Sequence, residues 1–494
     1  MNLVEHLPAL QVVVPMLAAP LCVVLRRRRL AWGMAMLAAV GAFAIAAVQL
    51  QRVIVLGPIG YEMGSWPAPI GITYRVDLLA AFVAFFVAGI GAVAMAYAPT
   101  SFNKEVPRDR HHLMYAALLL TLTGLLGITL TADAFNVFVF LEISSLASYV
   151  LIGMGGSRRA LVAAFRYLVL GSIGGTFILI GIGMMYMQTG TLAMDDLAAR
   201  LPDLWKTRTV LVSFAFFTVG ASLKLALWPL HVWLPNAYTH APSVVSALIA
   251  ATGTKVMIYV LMRFTFGVYG ADFAFETLGL GLPLKVLAIT GIYVASTVAI
   301  FQPNFKKLLA YSSVGQIGYM VLGLSLATVG GVGAAVLHMF NHALIKGGMF
   351  LAVGAIVYRT GSARIEDLRG AGKAMPWSSM AVVVGGLGLI GVPLTAGFVS
   401  KWALITALLE ADRWPLAGLA LLSSLIAVIY VWRFVEAAWF HEPSPALRDV
   451  GEAPLSLLLP TWVLIGASVV VGVWGAWSTD VAMYAAAELL GGAR

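Results

Sequence analysis

Stretches of about twenty apolar residues recur from one end of the chain to the other, divided by short segments where glycine, proline and charged residues collect. Each stretch is long enough to cross a hydrocarbon core of about 30 Å as a helix. None has the apolar–polar alternation of a barrel strand, and only helices or closed barrels satisfy their own backbone groups in lipid. The pattern predicts spans near residues 8–25, 30–50, 76–98, 113–131, 134–154, 161–188, 209–234, 242–266, 284–302, 308–327, 329–358, 376–409, 414–440 and 454–478. This describes an all-α polytopic membrane protein of about fourteen transmembrane helices.

Two spans are interrupted. The span 209–234 carries Trp228-Pro229 just after Lys224, and the span 376–409 carries Gly391-Val392-Pro393 and Gly397 just before Lys401. Proline within a helix removes a backbone hydrogen bond and kinks or breaks it, so breaks are expected at Pro229 and Pro393. A continuous helix over 376–409 would be about 51 Å long, more than a bilayer needs. Paired broken helices in two halves of a chain point to inverted repeats with an ion path at their interface. Ordinary packing kinks are the bland alternative. Between Gln51 and Arg75, the glycines and prolines, among them Gly57, Pro58, Gly64 and Pro67, predict a short external hairpin.

Composition agrees with this picture. Of 494 residues 61% are hydrophobic and 11% charged, against roughly 25% charged in a soluble domain. A net charge of +9 would suit a nucleic-acid partner, but the basic residues are scattered over short loops and none is expected. Topology accounts for them better. Lys and Arg number sixteen in the odd-numbered loops and eight in the even-numbered ones, which places the odd loops in the cytoplasm and both termini on the extracytoplasmic side of the cell (inner) membrane. With Cys22 the lone cysteine, neither an internal disulfide nor a thiolate cluster is available. The first apolar stretch, followed by Arg26 to Arg29, reads as a retained helix and not as a cleaved signal.

Ionisable groups within apolar spans are costly, and they mark ion or proton pathways. Here Glu142, Lys224, Lys255, Lys346 and Lys401 all sit too deep to reach an interface easily. His338, His342 and Lys346 follow at steps of four, which turn a helix by about 40° and rise about 6 Å, so they climb one broad face. The spacing suits a relay. Against it stand structural readings: Glu142 as a plain ion-pair partner, Lys224 and Lys401 as caps for carbonyls freed at the breaks, His338 as a satisfied interior histidine and His342 as a packing residue. His231 and His240 are read as tying down the loop after a break. Arg433 and Glu436, three apart, are expected to pair on one helix face, and Lys306 and Lys307 to sit at the cytoplasmic interface. There is no phosphate loop, metal-ligand motif or nucleophile with a matched base, so no cofactor, metal or catalytic residue is expected.

Several segments together resemble the antiporter-like membrane subunits shared by Mrp-type cation/proton antiporters, respiratory complex I and membrane-bound hydrogenases. They are Leu141-Glu142-Ile143-Ser144-Ser145, Ser222-Leu223-Lys224 through Trp228-Pro229 to Ala237, Ala241-Pro242-Ser243, Tyr311-Ser312-Ser313 through Gln316 to Tyr319, and Asn341-His342 through Lys346. Within the family the chain looks most like the D subunit of an Mrp-type antiporter, by its length, its Gly64-Ser65-Trp66-Pro67 segment leading to Asp77, and its lysine at 401. Gly347 and Gly348 depart from the bulkier residues often found there. The resemblance implies two inverted five-helix repeats over 113–266 and 284–440, after an N-terminal region of three helices and the hairpin (1–112) and before a C-terminal helix (441–494). It further implies that Glu142 and Lys224 form a coupled pair, Lys255 connects, His338 and Lys346 relay, and Lys401 serves the exit.

Lysine suits such work because burial favours loss of its proton while a nearby carboxylate restores it. The expected function is proton transfer, with exchange for sodium or another monovalent cation, as one membrane component of a hetero-oligomeric antiporter. A proton-pumping subunit of complex I or of a hydrogenase is the alternative within the same fold. A stand-alone solute transporter is the alternative outside it.

Overall fold

The computed structural model describes residues 3–448 and 450–491. A turn at Leu3–His6 leads into α1 (Leu7–Leu25) and α2 (Arg28–Leu56). The predicted hairpin follows: β1 (Ile59–Glu62) and β2 (Thr73–Val76) pair antiparallel, with Ile59 opposite Val76 and Glu62 opposite Thr73. Helices α3 (Leu78–Glu105), α4 (His111–Leu130), α5 (Ala134–Gly153) and α6 (Arg158–Thr189) then cross in turn, and the short α7 (Met194–Arg200) lies in the next connection. After α8 (Arg208–Lys224), α9 (Leu234–His240) and α10 (Ser243–Met262), the chain widens into a π-helical turn, Arg263–Val268. The second half comprises α11 (Gly281–Ile300), α12 (Phe305–Leu324), α13 (Val329–Thr360), the short α14 (Ala371–Ala374), α15 (Pro376–Ile390), α16 (Ala396–Glu410) and α17 (Trp414–Trp439). Helices α18 (Leu455–Val473) and α19 (Ala476–Leu489) complete it.

Among the described residues, 11 helices are long and apolar enough to cross a membrane. The other three predicted spans are α8, α12 and the pair α15–α16, which are too short or too polar to qualify by length and hydropathy. The chain is a multi-pass, all-α membrane protein. Burial separates its layers: the apolar windows of α10 and α13 are 94% buried, those of α2 and α17 only 33%. Helices apolar on every side thus form the centre, and helices with exposed leucine and valine form the periphery.

Both predicted breaks are present. Helix α8 stops at Lys224, turns through Ala226 at φ 61°, and resumes as α9. Helix α15 stops at Ile390, passes Gly391 at φ 88° and Leu394 at φ 69°, and restarts where the Thr395 side chain accepts from the Phe398 amide. A left-handed alanine and a left-handed leucine are strained, and such strain persists only where surrounding packing holds it. A third break was not foreseen. The predicted span 454–478 is α18 followed, after Trp474 and Gly475, by α19, and both pack along α13. Gly472 lies against Leu394 and Thr395, so this break sits beside the one between α15 and α16.

Alternating helices fix which ends share a face. The hairpin, α7, the π-helical turn and the end of α19 lie together: His6 Nδ1 is 3.0 Å from the Tyr61 hydroxyl, and Leu489 shares a cavity wall with Asp77. The first described helix therefore starts, and the last one ends, on the hairpin face. Gly347 and Gly348 gain a reason here, since β-carbons there would stand 2.8 Å from Leu464 Cδ1 and 2.6 Å from Ile465 Cδ1; they admit α18 against α13.

Of the expectations about charged residues, one is refined and one needs correction. Lys306 stands in the first turn of α12, on the face away from the hairpin, but it is buried there, donating to Ser243 Oγ at 2.8 Å and standing 3.7 Å from the Glu105 carboxylate, so it is held in an ion pair between helix ends and not in open contact with the headgroups. Arg433 donates to the carbonyl oxygens of Ile300 and Gln302 and does not pair with Glu436. The Ile300 carbonyl ends α11 and that of Gln302 follows it, and carbonyls at a helix end lack intrahelical donors, which the guanidinium supplies.

Candidate functional site

The carboxylate of Glu142 projects from the middle of α5, where it meets the last residue of α8. Lys224 Nζ lies 3.1 Å from Glu142 Oε1 and donates to Ser145 Oγ at 2.9 Å. The lysine side chain is 2% exposed and that of Glu142 24%, so the cation is sealed in while the anion keeps some contact with the outside. Glycine makes the pair possible: a β-carbon at Gly175 of α6 would overlap the Glu142 carboxylate, and one at Gly174 would stand 3.2 Å from Lys224 Cγ. Because α8 unwinds straight after Lys224, the lysine is free of the following helical turn.

A cavity of about 30 Å³ lies beside Lys224 and extends to α10 next to Lys255; Lys224, Ser144, Ser145, Ser148, Gly253 and Thr254 are among its walls. A water needs roughly 10–15 Å³ of such space and two or more polar partners, so the cavity has room for a water or two. Lys255, next to Thr254 on α10, is wholly buried and donates to the Ala250 carbonyl at 2.5 Å and the Thr254 hydroxyl at 3.4 Å. No carboxylate is among these partners.

Helix α13 packs along α10 and supplies the centre. Lys346 donates to the Leu309 carbonyl at 2.8 Å and to the Ser312 hydroxyl, both on α12. His342 lies within electrostatic range of Lys255, Lys346 and Lys401, and its ring stacks on that of His338 at 5.9 Å and 9°. Neither His342 nitrogen has a protein hydrogen-bond partner among the described residues. Buried polar atoms of that kind call for water. His338 is fully engaged, with Nε2 2.9 Å from Gln316 Oε1 and Nδ1 2.8 Å from Ser400 Oγ. Facing an amide oxygen, Nε2 carries the proton and Nδ1 accepts from the serine.

Lys401 ends the row. It donates to the carbonyls of Leu389 and Ile390 at 2.9 and 3.0 Å and to Ser424 Oγ at 3.0 Å, and stands 4.7 Å from the centre of the Tyr319 ring. The capping expected of a lysine beside a break is thus present at 401, whereas Lys224 is held by a carboxylate. Tyr319 also lies 5.8 Å from the His338 ring, so one aromatic bridges histidine and lysine. A cavity of about 220 Å³ beside Lys401 is walled by Gly391, Trp402, Ser424 and Leu425, and opens toward the exposed side of α16 and α17.

The lysines and histidines proposed for the row from sequence thus all lie in the interior with Glu142 half-buried at its head, and neighbouring members are linked by an ion pair, a cavity beside them, a packed helix pair or a ring contact. Pro229 and Pro393 fall within the breaks. His231 and His240 stand apart from the row. His231 meets Tyr311 edge to face at 6.2 Å. His240 lines an open basic cleft with Arg158, Arg159 and Arg166, and burial, then the charges of Arg159, Lys307 and Lys306, hold it below the ordinary histidine range. Sequence reasoning assigned no role to Ser145, Ser312, Gln316, Tyr319, Ser400 or Ser424. Ser145, Ser312, Gln316 and Tyr319 fall in the recognisable segments, but a hydroxyl or amide in a membrane helix gives no sign of which charge it will meet.

Residues 131–427 match the family described as NADH:quinone oxidoreductase/Mrp antiporter, transmembrane. The N subunit of an NADH-quinone oxidoreductase of Desulforudis audaxviator (strain MP104C) is 40% identical over 488 residues, covering 95% of this chain and 96% of that protein. The D subunit of a Na(+)/H(+) antiporter of Alkalihalophilus pseudofirmus (strain ATCC BAA-2126 / JCM 17055 / OF4) is 32% identical over 416 residues, 83% of this chain and 82% of that one. A chain in the structure of the Mrp complex from Dietzia sp. DQ12-45-1b superposes with a TM-score of 0.90 at 25% identity, over 99% of this chain and 98% of that chain. A chain of the membrane-bound sulfane sulfur reductase, an archaeal respiratory membrane complex, superposes with the same TM-score of 0.90 at 29% identity, over 98% of each.

Proposed function

The chain belongs to the NADH:quinone oxidoreductase/Mrp antiporter transmembrane family, and from that premise we propose that it is the proton-translocating, antiporter-like subunit of a multisubunit Mrp-type Na+(cation)/H+ antiporter. The observation that carries this reading is the Glu142–Lys224 pair at the head of an interior row of lysine and histidine. When Lys224 lies against Glu142 its charge is favoured. When it swings away, its proton is released through the small cavity toward Lys255, and onward by His342, Lys346 and His338 to Lys401. A charge crossing 100 mV is worth about 2.3 kcal/mol, and one pKa unit about 1.4 kcal/mol, so motions of a few ångströms suffice to gate transfer. The protein carries ions and performs no bond-making chemistry of its own.

Two repeats, 113–266 and 284–440, frame the path. In each the fourth crossing is the broken one, and the two run oppositely: α8 starts at the hairpin face and α15 at the other. The loop charge bias supports a hairpin face outside the cell and a basic face in the cytoplasm. Partners are the other membrane subunits of the assembly, with protons and a monovalent cation as cargo.

A second reading, a proton-pumping subunit of a complex I-like or other redox-driven assembly, is favoured by the 40% identity to the oxidoreductase relative, above the 32% to the antiporter relative. Purifying the native complex decides between the two. Copurifying subunits with cysteine-rich cluster motifs mean the second; further antiporter subunits without them mean the first.

A milder variant tests the pair itself. Gly175→Ala pushes the end of the flexible Glu142 side chain aside without striking backbone, and is expected to lower proton flux by about tenfold, the equivalent of roughly 1.4 kcal/mol, in proteoliposomes holding the intact complex. Parental flux in that variant would show that the observed contact is not used.

A further inference from the structure

Tyr259 stands one helical turn beyond Lys255 on α10, and nothing in the row described above uses it. Its hydroxyl donates to the Thr129 carbonyl at 2.8 Å and accepts from Arg263 Nε at 3.0 Å. Arg263 in turn pairs with Asp77, the residue that caps α3 through the Ala80 amide at 2.9 Å. The pair is nearly sealed, with side chains 18% and 6% exposed. On its outer side lies an open cavity of about 140 Å³, walled by Arg75, Asp77, Thr131, Asp195, Tyr259 and Arg263.

We propose that this cavity is the mouth through which Lys255 exchanges protons with the solution on the hairpin face, and that the Asp77–Arg263 pair is its gate. The proposal rests on the proton-transfer reading of the row, and adds to it a second way out at the opposite end from Lys401. A structural clamp between α3, α4 and α10 would need the same hydrogen bonds but no solvent-filled space against them. The space here is large enough for several waters, at about 10–15 Å³ each. It also lies where α10 gives way to the π-helical turn Arg263–Val268, a widening that is frequent at functional sites. The step balances in protons. The Lys255 ammonium, turned from the Ala250 carbonyl toward Tyr259, gives one proton through water to the Asp77 carboxylate and becomes a neutral amine. The resulting acid no longer holds Arg263, and it yields the proton to the cavity, whereupon the pair re-forms.

Gly267 provides the test, because it lines the cavity and a β-carbon there meets only Leu489 Cδ1, at 3.9 Å. In the intact complex reconstituted into vesicles, Gly267→Cys is expected to transport at the parental rate. A membrane-impermeant, positively charged methanethiosulfonate added on the hairpin face should then slow proton flux by on the order of tenfold, the effect of one fixed charge a few ångströms from the path. The parent, whose Cys22 is buried, should be unaffected. Complete labelling with unchanged flux, or no labelling from that face, overturns the proposal. Failure of the underlying reading has a different signature, Glu142→Ala transporting at the parental rate; a dead Glu142→Ala beside an indifferent labelled Gly267→Cys condemns the mouth alone.

Discussion

Replacing Glu142 with alanine abolishes proton-coupled cation exchange while the complex still assembles, and Lys224→Ala does the same. The expected loss follows from how unevenly the pair is buried. Removing Glu142 leaves the Lys224 ammonium, 2% exposed, with Ser145 as its remaining partner. Stripping one member from a buried ion pair costs about 3–5 kcal/mol, because the other charge stays uncompensated. Lys224 then avoids the charged state, and the step that loads the row slows by roughly two to four orders of magnitude. Removing Lys224 takes away the proton carrier itself. Glu142→Gln separates charge from hydrogen bonding, since the amide still reaches Lys224 but cannot stabilise its proton; it should behave like alanine. Flux in proteoliposomes, with subunit content checked on the same preparation, measures all three. Exchange at even a tenth of the parental rate in Glu142→Ala would remove the pair from the mechanism.

The second large effect is expected in stability. At Gly397 a β-carbon would run into the backbone carbonyl of Gly388, where α16 folds back across α15. Backbone cannot step aside as a side chain can, so Gly397→Ala should separate the two half-helices and cost about 3 kcal/mol, the upper part of the range for overpacking. Lys401 and Ser400 stand on the displaced helix, so His338 would lose its hydrogen bond as well. The expected outcome is a marked fall in the thermal midpoint of the purified complex and in its yield. Gly418→Ala, on α17 with nothing within 4 Å of the added carbon, is the control and should change neither. A Gly397→Ala complex as stable as the control would mean the crossing is looser than the structure has it.

The features that proved hardest to foresee share a cause. Pro229 and Pro393 announce their breaks because proline cannot donate, and that is visible in one dimension. The break at Trp474–Gly475 carries no proline and no charge. It arises where Gly472 must pass Thr395, a contact some eighty residues away in the chain. Lys306 and Lys307 look alike side by side. A helix turns them to different surroundings, and Glu105, brought by the far end of α3, claims the first. Arg263, near the end of the predicted span 242–266, has no partner visible in the sequence and is half of a buried pair in the fold, because Asp77 arrives from the other end of the same α3.

Apolar run length, proline placement and the cost of charge in lipid were enough, without coordinates, to specify a multi-pass helical protein, two of its broken spans and the seven ionisable residues proposed for its path. Those are local properties, each written within some thirty residues. Which of these groups touch, in what order, and where space is left between them depend on α3, α10 and α13 meeting across hundreds of residues. Only packing in three dimensions decides that, because a buried lysine's chemistry is set by its neighbours within a few ångströms and not by its neighbours in sequence.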